Sequence, residues 1–181
     1  PRKYKNGPLR VEEFLGTPDF RSPGDAFTAS NVQYSFRYQV KQERGRYRAS
    51  LTSFDAFAVF LQKQSWWRPE TASEILDHEQ GHFDIAEIAA RKLQYAIQKV
   101  LNSGKGFEAL DQTPEKAAER LKKKLESVIQ TANHQAELAN REYDSMTKHG
   151  LRFGSQAEFR RVQKASLQKL AKLLKELKSE P

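Results

Sequence analysis

Hydrophobic positions repeat with two different periods along the chain, and the change of period divides it into a sheet part and a helical part. Val32, Tyr34, Phe36, Tyr38 and Val40 alternate with Gln33, Ser35, Arg37 and Gln39, the pattern of a half-buried strand built from β-formers. Gln42-Glu43-Arg44-Gly45 supplies a turn, and Tyr47, Ala49 and Leu51 resume the alternation as a hairpin partner. From Phe54 to Leu61 both faces are apolar, which predicts a third strand covered on both sides. Residues 1–30 hold Gly7-Pro8, Gly16-Thr17-Pro18 and Ser22-Pro23-Gly24. Loops are expected there, with a short ordered piece around Leu9–Leu15.

Beyond Ser65-Trp66-Trp67-Arg68-Pro69 the period becomes helical. Pro69 suits a first turn, Glu70 and Glu74 favour the N-terminal end, and Asn102-Ser103-Gly104 reads as the stop. At about 100° per residue, Ile75, His78, His82, Ile85, Ala89, Leu93, Ala96 and Val100 fall on one stripe. A second helix is predicted from Thr113-Pro114 to His149-Gly150, with Thr as N-cap and Pro at the first position. Its buried stripe is Ala117, Leu121, Leu125, Val128, Ala132, Ala139, Tyr143 and Met146. Ser155-Gln156-Ala157-Glu158 reads as a capping box opening a third helix. That helix carries a narrow seam of Phe159, Val162, Ser166, Leu170, Leu173 and Leu177 between lysines and arginines. The expected fold is α+β: a small antiparallel sheet of about three strands on a long helix, then two further helices. Residues 1–158 form the expected domain, with 159–181 a basic amphipathic extension of it.

Composition narrows the chemistry. A chain of 181 residues is long enough to bury one core. It has no cysteine, which excludes disulfides and thiolate metal sites and leaves His, Asp and Glu as ligands. No apolar run approaches the roughly 18 residues of a membrane span. The first residue is Pro1 rather than Met, so something is expected to have been removed ahead of it. A net charge of +8 raises nucleic acid or anionic surfaces as partners. Much of that excess follows residue 151, however, and Phe159 is the only aromatic on the basic helix. Single-stranded nucleic acid is therefore disfavoured. A basic seam of this kind reads as a face docked on its own domain or paired with a second copy in a homodimer.

On the first long helix stands His78-Glu79-Gln80-Gly81-His82, an H-E-x-x-H. Imidazoles at i and i+4 share a helix face and can grip one ion, and the glutamate beside the first can reach a water on it. A catalytic zinc site needs a third ligand and an open position. Three and six residues beyond His82 stand Ile85 and Ile88, so the metzincin extension is absent. Glu108, the first acid after the helix, lies in an expected loop. On the second helix His149 and Glu142 project together, about 60–80° to one side of the apolar stripe. Glu142 reads as an alternative ligand or as an acceptor for an imidazole N–H. Asp144 and His134 project to the far side, and His134 reads as a solvated surface residue. Tyr143 is either an oxyanion donor or a buried helix-face tyrosine. Trp66 and Trp67 either line a substrate cleft or cap the core.

Several stretches are similar to a family of mostly exported bacterial proteins described as zinc-dependent proteases, a domain of unknown function. The resemblance covers roughly residues 9–160. It rests on Lys63-Gln64-Ser65-Trp66, on His78-Glu79-Gln80-Gly81-His82-Phe83-Asp84-Ile85-Ala86-Glu87, on Ala90-Arg91-Lys92-Leu93, and on Tyr143-Asp144-Ser145-Met146-Thr147-Lys148-His149-Gly150. The last matches the family's Y-D-x-x-T-x-H-G and favours His149 over Glu142. The resemblance implies a zincin-like fold, Zn²⁺ held by His78, His82 and His149, a peptide or protein substrate, and an exported location. In that reading Glu79 is the general base. The rival readings are a non-catalytic module whose metal has four protein ligands, and an anionic-surface binder acting through the basic helix.

Overall fold

The computed structural model describes residues 1–104 and 106–179. In order these form β1 (Arg2–Lys3), β2 (Ala26–Phe27), β3 (Ser30–Glu43), β4 (Arg46–Phe60), β5 (Trp66–Trp67), α1 (Ile75–Asn102), β6 (Glu108–Asp111), α2 (Pro114–Thr147) and α3 (Phe153–Ser179). Short 3-10 turns occupy Tyr4–Asn6 and Val11–Glu13. The architecture is α+β, as the change of period implies, with antiparallel sheets and three long helices.

β3 and β4 are joined through Arg44 and Gly45, at φ 50° and 77°, a two-residue turn whose twist matches the flanking strands. The two strands expected at 47–51 and 54–61 are a single strand. The ladder steps from Arg37↔Ser53 to Tyr38↔Leu51, so Thr52 is an extra residue. In a regular strand Leu51 and Phe54 would face opposite ways; the bulge turns both into the core, each 5% exposed.

β4 is the central strand. β3 covers one edge, while β6 pairs with Tyr47–Ser50 and β1 with Val59–Phe60 on the other. Between β6 and β1 that edge is satisfied by side chains of α1. Gln94 Nε2 donates to Phe54 O at 2.7 Å, Ala56 N donates to Gln94 Oε1 at 2.6 Å, and Ala58 N donates to Glu87 Oε2 at 3.2 Å. Buried backbone groups need such partners, and these contacts fix how α1 is turned. Phe83 and Ala86 pack with Ala58 and Phe60, and Ala90, Leu93 and Ile97 with Val32, Leu51 and Phe54. β6 was expected as loop; its Ala109 packs with Ala49, Ala117 and Leu121.

Helix boundaries and faces differ from the periodicity in places. α1 begins at Ile75 rather than Pro69, because Arg68 and Thr71 are tied to the N-terminal loop. Arg68 N and Thr71 Oγ1 donate to Asp25 O at 3.0 and 2.8 Å, and the Arg68 guanidinium holds Asp25 Oδ1 and the carbonyl oxygens of Asp19 and Ser22. The stripe expected to be core on α1 is offset. Ile85, Ala89 and Ala96 join Val128, Ala132 and Ala139 of α2 and Phe159, Val162 and Ser166 of α3 around a groove of about 620 Å³. Met146, placed on the buried stripe of α2, is 49% exposed.

α3 lies along α1 in parallel, and its contacts begin polar. Gln156 and Arg160 bind Asp77 at 3.0 Å each, Arg160 also binds Asp84, and Gln163 Nε2 donates to Gly81 O at 3.2 Å. Farther on, Arg91 donates to Leu167 O and Asn102 to Leu177 O. Among the described residues of α3, Gln156, Gln163, Leu167 and Leu170 are buried; Leu170 belongs to the expected seam, while Val162 is 49% exposed and the two glutamines are positions the apolar rule passes over.

Candidate metal centre

The early turns of α1 and the end of α2 meet in a cluster of imidazoles and carboxylates. His78, Glu79 and His82 are buried at 2%, 2% and 8% exposure, and their i, i+4 spacing brings the two imidazoles together. His78 Nε2 and His82 Nε2 are 3.1 Å apart, and Asp144 Oδ1 is 3.1 Å from each. His149 Nδ1 lies 3.3 Å from the same oxygen. Donors about 2.0–2.1 Å from a tetrahedral ion stand about 3.3–3.4 Å apart, so these separations suit a shared ion. His78, Glu79 and His82 form one group whose ligand atoms lie within 4.8 Å of one another, and His78, Asp144 and His149 form another.

Behind the imidazoles, α2 fixes their orientation. His82 Nδ1 is 2.9 Å from Asn140 Oδ1, an acceptor that holds the proton on Nδ1 and leaves Nε2 free to bind. His78 Nδ1 faces Thr147 Oγ1 at 3.5 Å, while that hydroxyl donates to Tyr143 O at 2.7 Å. Past Thr147 the chain turns through three left-handed residues, Lys148, His149 and Gly150, at φ 48°, 52° and 88°. His149 N donates to Asp144 O at 3.2 Å, which folds the imidazole back toward that carboxylate. Gly150 has two reasons to be glycine: its φ, and the 3.0 Å that would separate an added Cβ from His78 Cβ.

Asp144 was projected to the far side of α2 and instead lies at the centre of the cluster. The expected stripe was centred on the wrong residues: Val128, Ala132 and Ala139 line the groove and Met146 is exposed, whereas the buried positions Ile129, Ala136, Tyr143 and Thr147 turn the inward face toward Asp144. Asn140, Asp144 and Thr147 form a polar row at i, i+4 and i+7; that spacing was the signal available in the sequence. Glu142 is exposed and lines the apolar groove between the helices, away from the imidazoles. His134 is exposed on α2, as expected. Glu108 sits on β6, bound to Arg48 and Ser50.

Tyr143 also differs from its catalytic reading. It is fully buried, stacked on His78 at 4.7 Å and 16°, with its edge contacts to His82 at 5.1 Å and Phe159 at 5.4 Å. Its hydroxyl lies over Gly81, where an added Cβ would approach Cζ to 2.6 Å. Burial pushes the phenol up, so it stays protonated. The ring is a packing piece behind the imidazoles. Trp66 is buried and stacks on Phe27, and Trp67 meets Phe14 edge-on at 5.6 Å. Neither lines the cavity that His78, Glu79, His82, Asp144 and His149 face, a space of about 790 Å³.

The charges in the cluster are coupled. Burial opposes ionisation of both Asp144 and His82. Hydrogen bonds from His78 and His82 nevertheless hold the Asp144 carboxyl well below the usual carboxylate range. The Asp144 hydrogen bond and the charges of Glu79 and Asp144 in turn raise His82 above an ordinary histidine. The signs give a pH window for metal-free protein. The His82 contribution is complete below about pH 6.5 and is lost as pH rises through its folded value. The Asp144 contribution is present above about pH 3.9 and is lost as pH falls through its folded value. Chelator-treated protein is expected to need less urea to unfold at pH 8 than at pH 5.5. Added metal should reverse that slope, because imidazoles bind it only when neutral. Urea melts at both pH values with and without metal check this; parallel slopes would contradict the coupling.

No family model, no curated protein and no solved structure matches the chain.

Proposed function

We propose that the chain is a zinc-dependent hydrolase of peptide bonds. The observation that carries this reading is Glu79. Its side chain is 2% exposed, it lines the same cavity as the imidazoles, and its Oε2 has no hydrogen-bond partner. A buried carboxylate oxygen without a partner is costly, and a proton-accepting role beside a metal gives it a use. The donor set, imidazoles with carboxylate and no thiolate, suits zinc.

His78 and His82 would bind the ion through Nε2, with His149 or Asp144 as the third protein ligand and the fourth position left to water. Bound Zn²⁺ would supply Lewis acidity toward a carbonyl oxygen and lower the pKa of a coordinated water. Asn140 and Thr147 keep the imidazoles in the binding tautomer. Glu79 accepts the water proton and passes it to the leaving amine. The H-E-x-x-H and Y-D-x-x-T-x-H-G stretches shared with the exported bacterial family support the same assignment.

Protein purified without added metal is expected to carry one zinc per chain. A chelator should abolish its cleavage of casein, and zinc should restore it. Cleavage that survives complete zinc removal would sink the proposal. Asp144→Ala and His149→Ala should each weaken zinc binding by at least about tenfold, measured by competition with a chromophoric chelator. His149→Ala with full affinity would remove His149 from the donor set and leave Asp144 as the third ligand.

A second reading has its own observation. Asp144 Oδ1 lies 3.1–3.3 Å from a nitrogen of all three imidazoles, so four protein donors are available to close the site. A closed site would be structural rather than catalytic. Cobalt-substituted protein discriminates the two: a visible spectrum that shifts with azide supports an open position, and an indifferent one supports closure.

A further inference from the structure

α3 docks on the domain through Gln156, Gln163, Leu167 and Leu170 and keeps a different face in solvent. At about 100° per residue, Arg161, Lys164, Lys172, Lys175 and Lys178 fall within an arc of about 120°, and all five are exposed. Glu158 and Glu176, the acids of α3, project outside that arc. Arg161 pairs with Glu158 and Lys172 approaches Glu176 at 3.9 Å; such exposed pairs are weak and release their charge to a stronger partner. The arc also contains Phe153, the first residue of the helix, which is 67% exposed. Leu151, two residues earlier, is 67% exposed as well. Exposed Lys148 and Arg152 alternate with them, so the turn that leads into α3 presents apolar and cationic side chains together.

We infer that this turn and the cationic arc of α3 form a docking surface for an anionic phospholipid bilayer; the inference is independent of the hydrolase reading. Lysines close to an anionic leaflet are attracted to it, and the attraction fades within a Debye length. A basic helix alone, or one short apolar anchor alone, binds a membrane marginally; the two signals together make the contact stable. Here they are continuous, with Leu151 and Phe153 at one end of the arc and the lysines along a helix about 40 Å long. Nucleic acid would use the charge but has no place for Leu151, and the aromatic interleaving that single strands require is missing. A second copy is opposed by charge, because a two-fold contact would set the cationic arc against itself.

The test is co-sedimentation of the full chain with sucrose-loaded vesicles, one set of phosphatidylcholine and one of equal parts phosphatidylcholine and phosphatidylserine. Binding to the anionic set is expected to be at least about tenfold tighter and to be released at about 1 M salt, where the screening length is about 3 Å. Replacing Lys164, Lys172 and Lys178 together by Gln should weaken it about a hundredfold, roughly fivefold per lysine. Replacing Lys116, Lys122 and Lys123 of α2 by Gln removes the same charge from another surface and should leave binding unchanged. Leu151→Ser with Phe153→Ser should weaken binding about tenfold without loss of charge. These side chains are exposed, so melting temperatures should not move; if the Ser double variant melts lower, each substitution is read singly and is expected to weaken binding. Equal binding to both vesicle sets, or an equal loss from the α2 variant, overturns the proposal. Full binding by the Leu151 and Phe153 variants overturns it too, and salt-sensitive binding of a labelled DNA duplex would then mark the arc as a nucleic-acid surface.

Discussion

Glu79→Gln protein is expected to bind one zinc per chain as the wild type does and to cleave peptides about 10²–10⁴-fold more slowly. The substitution keeps the shape of the side chain and removes only its ability to take a proton. Glu79 is buried beside His78 and His82, with one oxygen unpartnered, so the base is lost without disturbing the imidazoles. A second consequence separates this role from a structural one. An unpartnered buried carboxylate is a burden to the fold, so the Gln protein should melt at the same temperature as the wild type or slightly higher. Metal content by elemental analysis, turnover with casein and a thermal melt together decide the matter. Unchanged turnover removes Glu79 from the chemistry, and a lowered melt makes it a structural residue.

Gly81→Ala should destabilise the protein by about 1–3 kcal/mol, the cost typical of overpacking a core. The added Cβ would lie 2.6 Å from Tyr143 Cζ and closer still to its hydroxyl. That ring has nowhere to go, being stacked on His78 and edge-on to His82 and Phe159. The displaced ring presses on both imidazoles, so zinc affinity should fall together with stability. Tyr143→Leu in the same chain removes the obstacle, so the two substitutions should be non-additive in urea unfolding. Full additivity would mean that the ring and the glycine do not meet.

The centre of this site was more legible in the sequence than its surroundings. H-E-x-x-H is a local pattern, and helix geometry alone brings His78 and His82 together. The strands were legible for the same reason, since alternation is local; only the bulge at Thr52 hid the continuity of β4. Asp144 was misplaced because the apolar residues that set the expected face of α2 include Val128, Ala132 and Ala139, which line the groove, and Met146, which is exposed. The boundary of α1 failed because hydrogen bonds from Arg68 and Thr71 to a loop more than forty residues earlier override a favourable Pro-Glu start.

The two groups of candidate ligands lie far apart in sequence, His78 and Asp144 being 66 residues distant. An ion held by both would be a cross-link between α1 and α2 in a chain that has no cysteine to make one. By the chain-entropy estimate used for disulfides, closing a loop of that size restricts the unfolded chain by about 4 kcal/mol. Metal availability would then govern the protein's persistence as well as its chemistry, much as redox conditions govern a disulfide-bonded domain.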